Sequence, residues 1–218
     1  QKNRFGTPYS DTILTMRWSF DFHNINIPTS AHVLVRDIKQ KNYDHDAHGN
    51  KVWNSCLALM DYLSEVDIKD LEVMDVGCGW GVLSSFLAKK GANVQSVDCD
   101  KSIQPYYQLI KELNNTSSML RIADIANLEE RDFANIDWIV GSDICFWDEQ
   151  IQMYVKMIRT ALESGVAEIL IADPGRETFW KLEQYCNAFC NPEIVEIQLN
   201  EPRKVKAYVM CIDSWCRQ

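Results

Sequence analysis

The chain has 218 residues, a formal net charge of −9 and 46% hydrophobic residues, enough to bury a full core as a single domain. No stretch approaches the ~20 apolar residues of a membrane span and no secretion leader opens the chain, so a cytoplasmic monomer without a membrane partner is expected. The acidic balance argues against general binding to a nucleic-acid backbone.

Eight cysteines stand singly in mostly apolar surroundings, at 56, 78, 99, 145, 186, 190, 211 and 216. They read as reduced core thiols rather than a secreted disulfide framework. Cys186 and Cys190 have no matching CxxC or histidine partner, so no metal site is expected.

Residues 1–50 read as an extension packed on a domain of residues 51–218. Within it, Thr12-Ile-Leu-Thr-Met-Arg-Trp-Ser-Phe-Asp-Phe22 and Ala31-His-Val-Leu-Val-Arg36 look like two strands around the turn-rich Asn24 to Ser30. They predict an N-terminal β-hairpin. Tyr43-Asp-His-Asp-Ala-His-Gly49 follows as a polar loop. Its His45, Asp46 and His48 could bind metal or act as bases, but a solvated loop is the simpler account. Val52 to Leu63 has helical spacing, with Trp53 at its start either anchoring the helix or touching a cofactor.

Val73-Met-Asp-Val-Gly-Cys-Gly-Trp-Gly81 is a hydrophobic strand that ends in a carboxylate and turns through Gly77, Gly79 and Gly81. Closely spaced glycines let the backbone turn tightly and approach a ligand. A helix over residues 81–90 would aim its free amides at the same place. The dinucleotide fingerprint needs GxGxxG, whereas here the third glycine comes one residue early and Asp75 precedes the first. That carboxylate would repel a pyrophosphate but could reach an ammonium group, directly or through water. The ligand favoured is S-adenosylmethionine.

Asn93-Val-Gln-Ser-Val-Asp98 is a second strand, and Asp98 falls about 20 residues beyond the glycine turn, where a ribose diol is bound in related folds. An ionised carboxylate only accepts and can take both hydroxyl protons. Ser118 to Ala123 forms a third strand leading to Asp124 and Ile125, a carboxylate and a backbone amide suited to an adenine edge. Cys78, Cys99 and Ser142, each beside one of these strand ends, complete the expected cofactor contacts with Trp53.

The fourth strand, Ile136 to Ser142, runs into Asp143-Ile-Cys-Phe-Trp-Asp-Glu149. Functional crevices in open parallel sheets lie beyond the carboxyl ends of the strands. Asp143 is therefore placed to orient an amine, and Trp147 to form an apolar wall or hold a cation over its ring. Asp148 and Glu149 could equally open the next helix as first-turn acids. A helix over residues 150–163, a strand over 167–172 and a helix over 177–189 follow. Arg176 could hold Asp143, Asp173 or a substrate carboxylate. Glu193 to Leu199 and Lys204 to Ile212 are close enough to form a hairpin, which parallel neighbours could not do.

Asp75-Val-Gly-Cys-Gly-Trp-Gly81, Asp98, Asp124 and the terminal hairpin together resemble the class I, seven-stranded S-adenosylmethionine-dependent methyltransferases, over about residues 50 to 215. The resemblance implies a three-layer α/β/α, Rossmann-like, mostly parallel sheet ending in an antiparallel hairpin. It also implies methionine and ribose contacts at the glycine loop and Asp98, and an adenine contact at Asp124.

Val52-Trp53, Leu57 to Leu63, His48-Gly49 and Ser142-Asp143-Ile-Cys-Phe-Trp147 look like the non-histone protein-lysine methyltransferase group, and Ala172-Asp-Pro-Gly-Arg176 is similar to relatives acting on electron-transfer flavoprotein. The chain departs from that pattern with Trp53-Asn-Ser where many relatives have Trp-Pro. No Asp/Asn-Pro-Pro-Tyr segment follows strand four, which argues against adenine or glutamine N-methylation. The implied acceptor is a protein lysine. The alternatives are a small amine, thiol or carboxylate, and a noncatalytic interaction module with this fold.

Overall fold

The computed structural model describes residues 18–41 and 51–213. The polar loop with His45, Asp46 and His48, the first part of the expected N-terminal strand and Cys216 lie outside the described residues. The seven cysteines within them are all free, and no helix among them is long and apolar enough to cross a membrane.

The N-terminal hairpin is present, but only one of its two expected strands is correct. Strands β1 (Ser19–Phe22) and β2 (Ile25–Pro28) pair antiparallel, Phe22 opposite Ile25. The two residues between them, His23 and Asn24, have φ of 46° and 61°, the positive values that a tight two-residue hairpin turn requires. Ile25 and Ile27 point inward and are fully buried.

The segment expected as the second strand lies instead at and within helix α1 (Val33–Lys41). Val35 and Ile38 bury at helical spacing, and His32 Nδ1 accepts the Leu34 N–H at 3.3 Å. The short apolar run Val33-Leu-Val fits either period by itself; the burial of Ile38 one turn on decides for helix.

The main sheet contains β3 (Glu72–Val76), β4 (Asn93–Asp98), β5 (Ser118–Ile122), β6 (Trp138–Ser142), β7 (Glu168–Asp173), β8 (Glu193–Leu199) and β9 (Val205–Asp213), in the order β5-β4-β3-β6-β7-β9-β8. All neighbours are parallel except β9, which runs antiparallel to both β7 and β8.

Period-two alternation divides the core between the two faces. Val73, Val140, Leu170 and Val209 meet α2 (Asn54–Tyr62), α3 (Val82–Lys89) and α4 (Gln104–Asn114) through Leu57, Phe86 and Ile110. Met74, Ile139, Ile169 and Met210 meet α5 (Glu130–Phe133), α6 (Ile151–Glu163) and α7 (Glu177–Cys186) through Phe133, Ile158 and Phe179.

Helix α6 shows why these segments are helical. Ile151, Tyr154, Met157, Ile158, Ala161 and Leu162 are its buried residues, a stripe at three- and four-residue spacing. The result is the expected three-layer α/β/α, Rossmann-like sheet with an antiparallel end. Ile25, Ile27, Val35 and Ile38 of the N-terminal segment join the core on the α2–α4 side.

Candidate active site

Strand order reverses between β3 and β6, so the connections leaving their carboxyl ends diverge and open a crevice there. The glycine loop fills one wall. The Gly77 and Cys78 amides donate to Val97 O at 2.8 and 3.2 Å, and the Gly81 amide to Cys78 O at 2.9 Å. Gly81 then starts α3 with φ 76°.

At Gly79, φ is 51° and a Cβ would meet nothing within 4 Å. That open space belongs to a cleft of about 340 Å³, continuous with solvent. Of the residues expected to bind cofactor, Trp53, Gly77, Cys78, Gly79 and Ser142 line it; Lys51, Val52, Cys56, Trp80, Val82 and Leu83 complete the lining. An adenosyl group with an amino-acid tail fits this donor set, because backbone approaches the space without side chains and carboxylates stand at its margin.

Asp98 is tied to the cradle. Its Oδ2 accepts the Gly79 amide at 2.8 Å and its Oδ1 the Asp100 amide at 2.9 Å. A carboxylate has about four lone-pair sites, so two remain for a ribose diol. Burial raises its pKa above the ordinary carboxylate value.

Beyond it, Asp124 caps a single turn of 3-10 helix, Ile125–Asn127, by accepting the Ala126 amide at 2.9 Å. The Ala123 amide donates to Asp98 O at 2.9 Å, joining the ends of β4 and β5 where the ribose and adenine contacts are expected, while Cys99 is exposed beside Asp98. Asp75 lies underneath the loop, 1% exposed, with Ser84 Oγ 2.5 Å from its Oδ2. Burial, aided by the Asp98 charge, pushes its pKa up to about 7.

The far ends of β6 and β7 are tied together by Arg176. Its guanidinium reaches Asp173 Oδ2 at 2.6 Å and Asp143 Oδ1 at 3.0 Å, two of the partners its position in the sequence offered. Asp143 stands at the end of β6 with φ 55°, and its other oxygen accepts the Ser55 amide at 2.8 Å. Asp143 therefore clamps the start of α2 to the β7 loop, and both of its oxygens are engaged in doing so.

Over this clamp, Trp53 and Phe146 meet edge to face at 5.0 Å. The Arg176 guanidinium lies 4.2 Å from the Phe146 ring centre, and Lys51 Nζ lies 3.8 Å from that of Trp53. Trp147 is 53% exposed at the rim. Lys181 holds Asp148 at 2.7 Å. Sequence reasoning missed Phe146 and Lys51 as parts of this wall; neither has a local pattern that marks it.

Residues 73–165 match the methyltransferase domain family. The chain is similar to a ribosomal RNA small subunit methyltransferase A of Mesomycoplasma hyopneumoniae, 27% identical over 127 residues, covering 55% of this chain and 48% of that one. It is also similar to EEF1A lysine methyltransferase 3 of Mus musculus, 22% identical over 139 residues and 60% of each chain. Among solved structures, magnesium protoporphyrin IX methyltransferase from Synechocystis PCC 6803 with bound S-adenosylmethionine superposes with a TM-score of 0.56 at 16% identity, over 82% of this chain and 90% of that one. The chain spans about half the length of the first curated relatives it matches.

The match to the methyltransferase domain family falls on the segment that carries the glycine cradle, within a sheet of Rossmann-like, three-layer order. The backbone-lined cleft beside Gly79, with Asp98 at its edge, is of a kind that S-adenosylmethionine would suit. One expectation is overturned. Ribosomal RNA small subunit methyltransferases recur among the relatives, so an acidic net charge does not exclude a nucleic-acid partner. Net charge sums the whole surface, whereas phosphate contacts depend on local basic groups.

Proposed function

We propose that the chain transfers the methyl group of S-adenosylmethionine to the side-chain amine of a lysine in a protein substrate. The observation that carries the acceptor class is the aromatic corner of Trp53 and Phe146, with Trp53 also lining the cofactor cleft. Such a corner packs along the aliphatic stem of a lysine and withholds water from a neutral amine, and orientation plus desolvation supply much of the rate in a direct displacement. The net charge of −9 favours a basic partner. The similarity to a lysine methyltransferase over 60% of each chain supports the same reading. The bound cofactor supplies an activated methyl on sulfur.

A ribosomal RNA acceptor is the second reading, supported by the relatives whose names carry it. Both begin with calorimetric titration of the protein with S-adenosylhomocysteine, using NADH as control. Labelled methyl transfer into fractionated lysate then separates them. Label on protein, at lysine by mass spectrometry, is the expected result; label on RNA installs the second reading, and label only on small molecules overturns both.

A further inference from the structure

Behind the cradle, five polar side chains from five elements form one continuous hydrogen-bonded file. From Asp75 on β3 it passes to Ser84 on α3 at 2.5 Å, to Ser96 on β4 at 2.8 Å, to Tyr107 on α4 at 2.7 Å and to Ser118 on β5 at 2.5 Å. Their exposures run from 0% to 3%, and Asp75 and Ser96 are direct register partners. Burying hydroxyls costs free energy that an apolar core of the same volume would not incur.

The hydrogens orient the file. An ionised carboxylate only accepts, so Ser84 donates to Asp75. Each hydroxyl has one hydrogen, so Ser96 donates to Ser84, and Tyr107 divides its single hydrogen between Ser96 and Ser118, to which it donates at 2.5 Å. From Tyr107 to Asp75 each link can reinforce the next, because a hydroxyl that accepts a bond becomes a better donor.

We propose that Ser84, Ser96 and Tyr107 are positioning residues for cofactor binding, a relay that keeps the Asp75 carboxylate charged and fixed beneath the glycine cradle to meet the cofactor's ammonium group. The inference rests on reading the cleft as the S-adenosylmethionine site.

The other groups facing Asp75 offer no substitute. Asp98 from β4 opposes its ionisation. Burial keeps the thiols of Cys56 on α2 and Cys78 in the loop neutral, and pushes Tyr107 on α4 up to about 12. On the β6 side its register partner is Val140. Against burial, the Ser84 hydroxyl bond works most strongly, with the Ser84 backbone hydrogen bond behind it. With Asp75 raised to about 7, small changes in the hydroxyl bond alter the charged fraction at neutral pH.

The test follows the Asp75 carboxyl by carbon NMR in the free protein, and S-adenosylhomocysteine binding by calorimetry, from pH 6 to 8.5. Wild-type affinity is expected to rise with pH as Asp75 ionises. Ser96→Ala and Tyr107→Phe should each move the Asp75 midpoint up by about 0.5 unit or more, weakening binding at pH 7 by roughly twofold or more and recovering it at pH 8.5. Ser96→Thr, which keeps the hydroxyl, should restore the midpoint.

Ser85→Ala is the control. Ser85 is buried beside Ser84, but its hydroxyl bonds Thr116 at 3.1 Å, off the file. A midpoint unmoved in folded Ser96→Ala and Tyr107→Phe overturns the relay. If Ser96→Ala does not fold, Tyr107→Phe, which loses a single oxygen, decides. Failure of the wild type to bind S-adenosylhomocysteine at any pH sinks the cofactor reading instead, while the NMR midpoints still judge the relay.

Discussion

Gly81 and Tyr107 are fitted to each other: a Cβ on Gly81 would lie 2.5 Å from the tyrosine ring. The third glycine of the loop thus does not face the cofactor space. It clears the way for an aromatic residue of α4 to pass under the cradle and reach Ser96.

Two glycine substitutions should accordingly fail differently. Gly81→Ala combines positive-φ strain with the ring collision and is expected to cost roughly 3 kcal/mol or more of stability. Gly79→Ala meets no atom and should cost about 1–2 kcal/mol from φ alone, yet abolish S-adenosylhomocysteine binding because its methyl enters the cleft. Urea unfolding and calorimetry on the pair check this; equal stability losses would contradict the geometry.

Stability should fall as pH rises from about 4 to about 7. The folded-state pKa of Asp75 is raised from 3.8 to about 7, so across that window the unfolded chain has released a proton that the folded chain keeps. The full effect is on the order of 4 kcal/mol. Glu168, raised to about 7 by burial and by Asp213 opposite it, acts in the same direction but is half-exposed and screened. His32, whose pKa burial lowers, opposes both below about 6.5. Urea midpoints at pH 5 and 7.5 should show the decline, with Asp75→Asn flattening it more than Glu168→Gln.

Arg176→Ala should destabilise the protein by about 3–5 kcal/mol, since it leaves two buried carboxylates without their cation. Asp173 is 0% and Asp143 5% exposed. Arg176→Lys should recover only part, because one ammonium cannot reproduce a fork that spans both acids. Thermal unfolding of the two variants measures the difference.

Asp98→Ala should weaken S-adenosylhomocysteine binding by about 10- to 100-fold, the loss of charge-assisted hydrogen bonds. The variant also frees the Gly79 and Asp100 amides that Asp98 holds, so Asp98→Asn, which keeps an acceptor oxygen, should be milder. Calorimetry at fixed pH compares them.

The elements of the sheet were legible because their cues are local. Alternating apolar residues, glycines at the turns and a carboxylate at a strand end all lie within a few positions of one another. The strand Asn93–Asp98 has the expected bounds, and β9 runs antiparallel as the short connection from β8 demands. The same local reading failed at Ala31 to Arg36, where three apolar residues fit both periods and only packing against the core could choose. For Asp143 it offered Arg176 as a partner but not the Ser55 amide, because nothing near Asp143 in sequence announces a donor 88 residues away.

By itself, then, the sequence determined the Rossmann-like fold, the glycine turn and the carboxylate that ends β4, since each depends on backbone conformation and hydrophobic period within one short segment. Tertiary structure alone decided the Arg176 clamp, the Trp53–Phe146 corner and the hydroxyl file behind Asp75. These join side chains from separate strands and helices. A serine in a strand or early in a helix carries no mark of its partner until the sheet has set the register and the helices have closed over it.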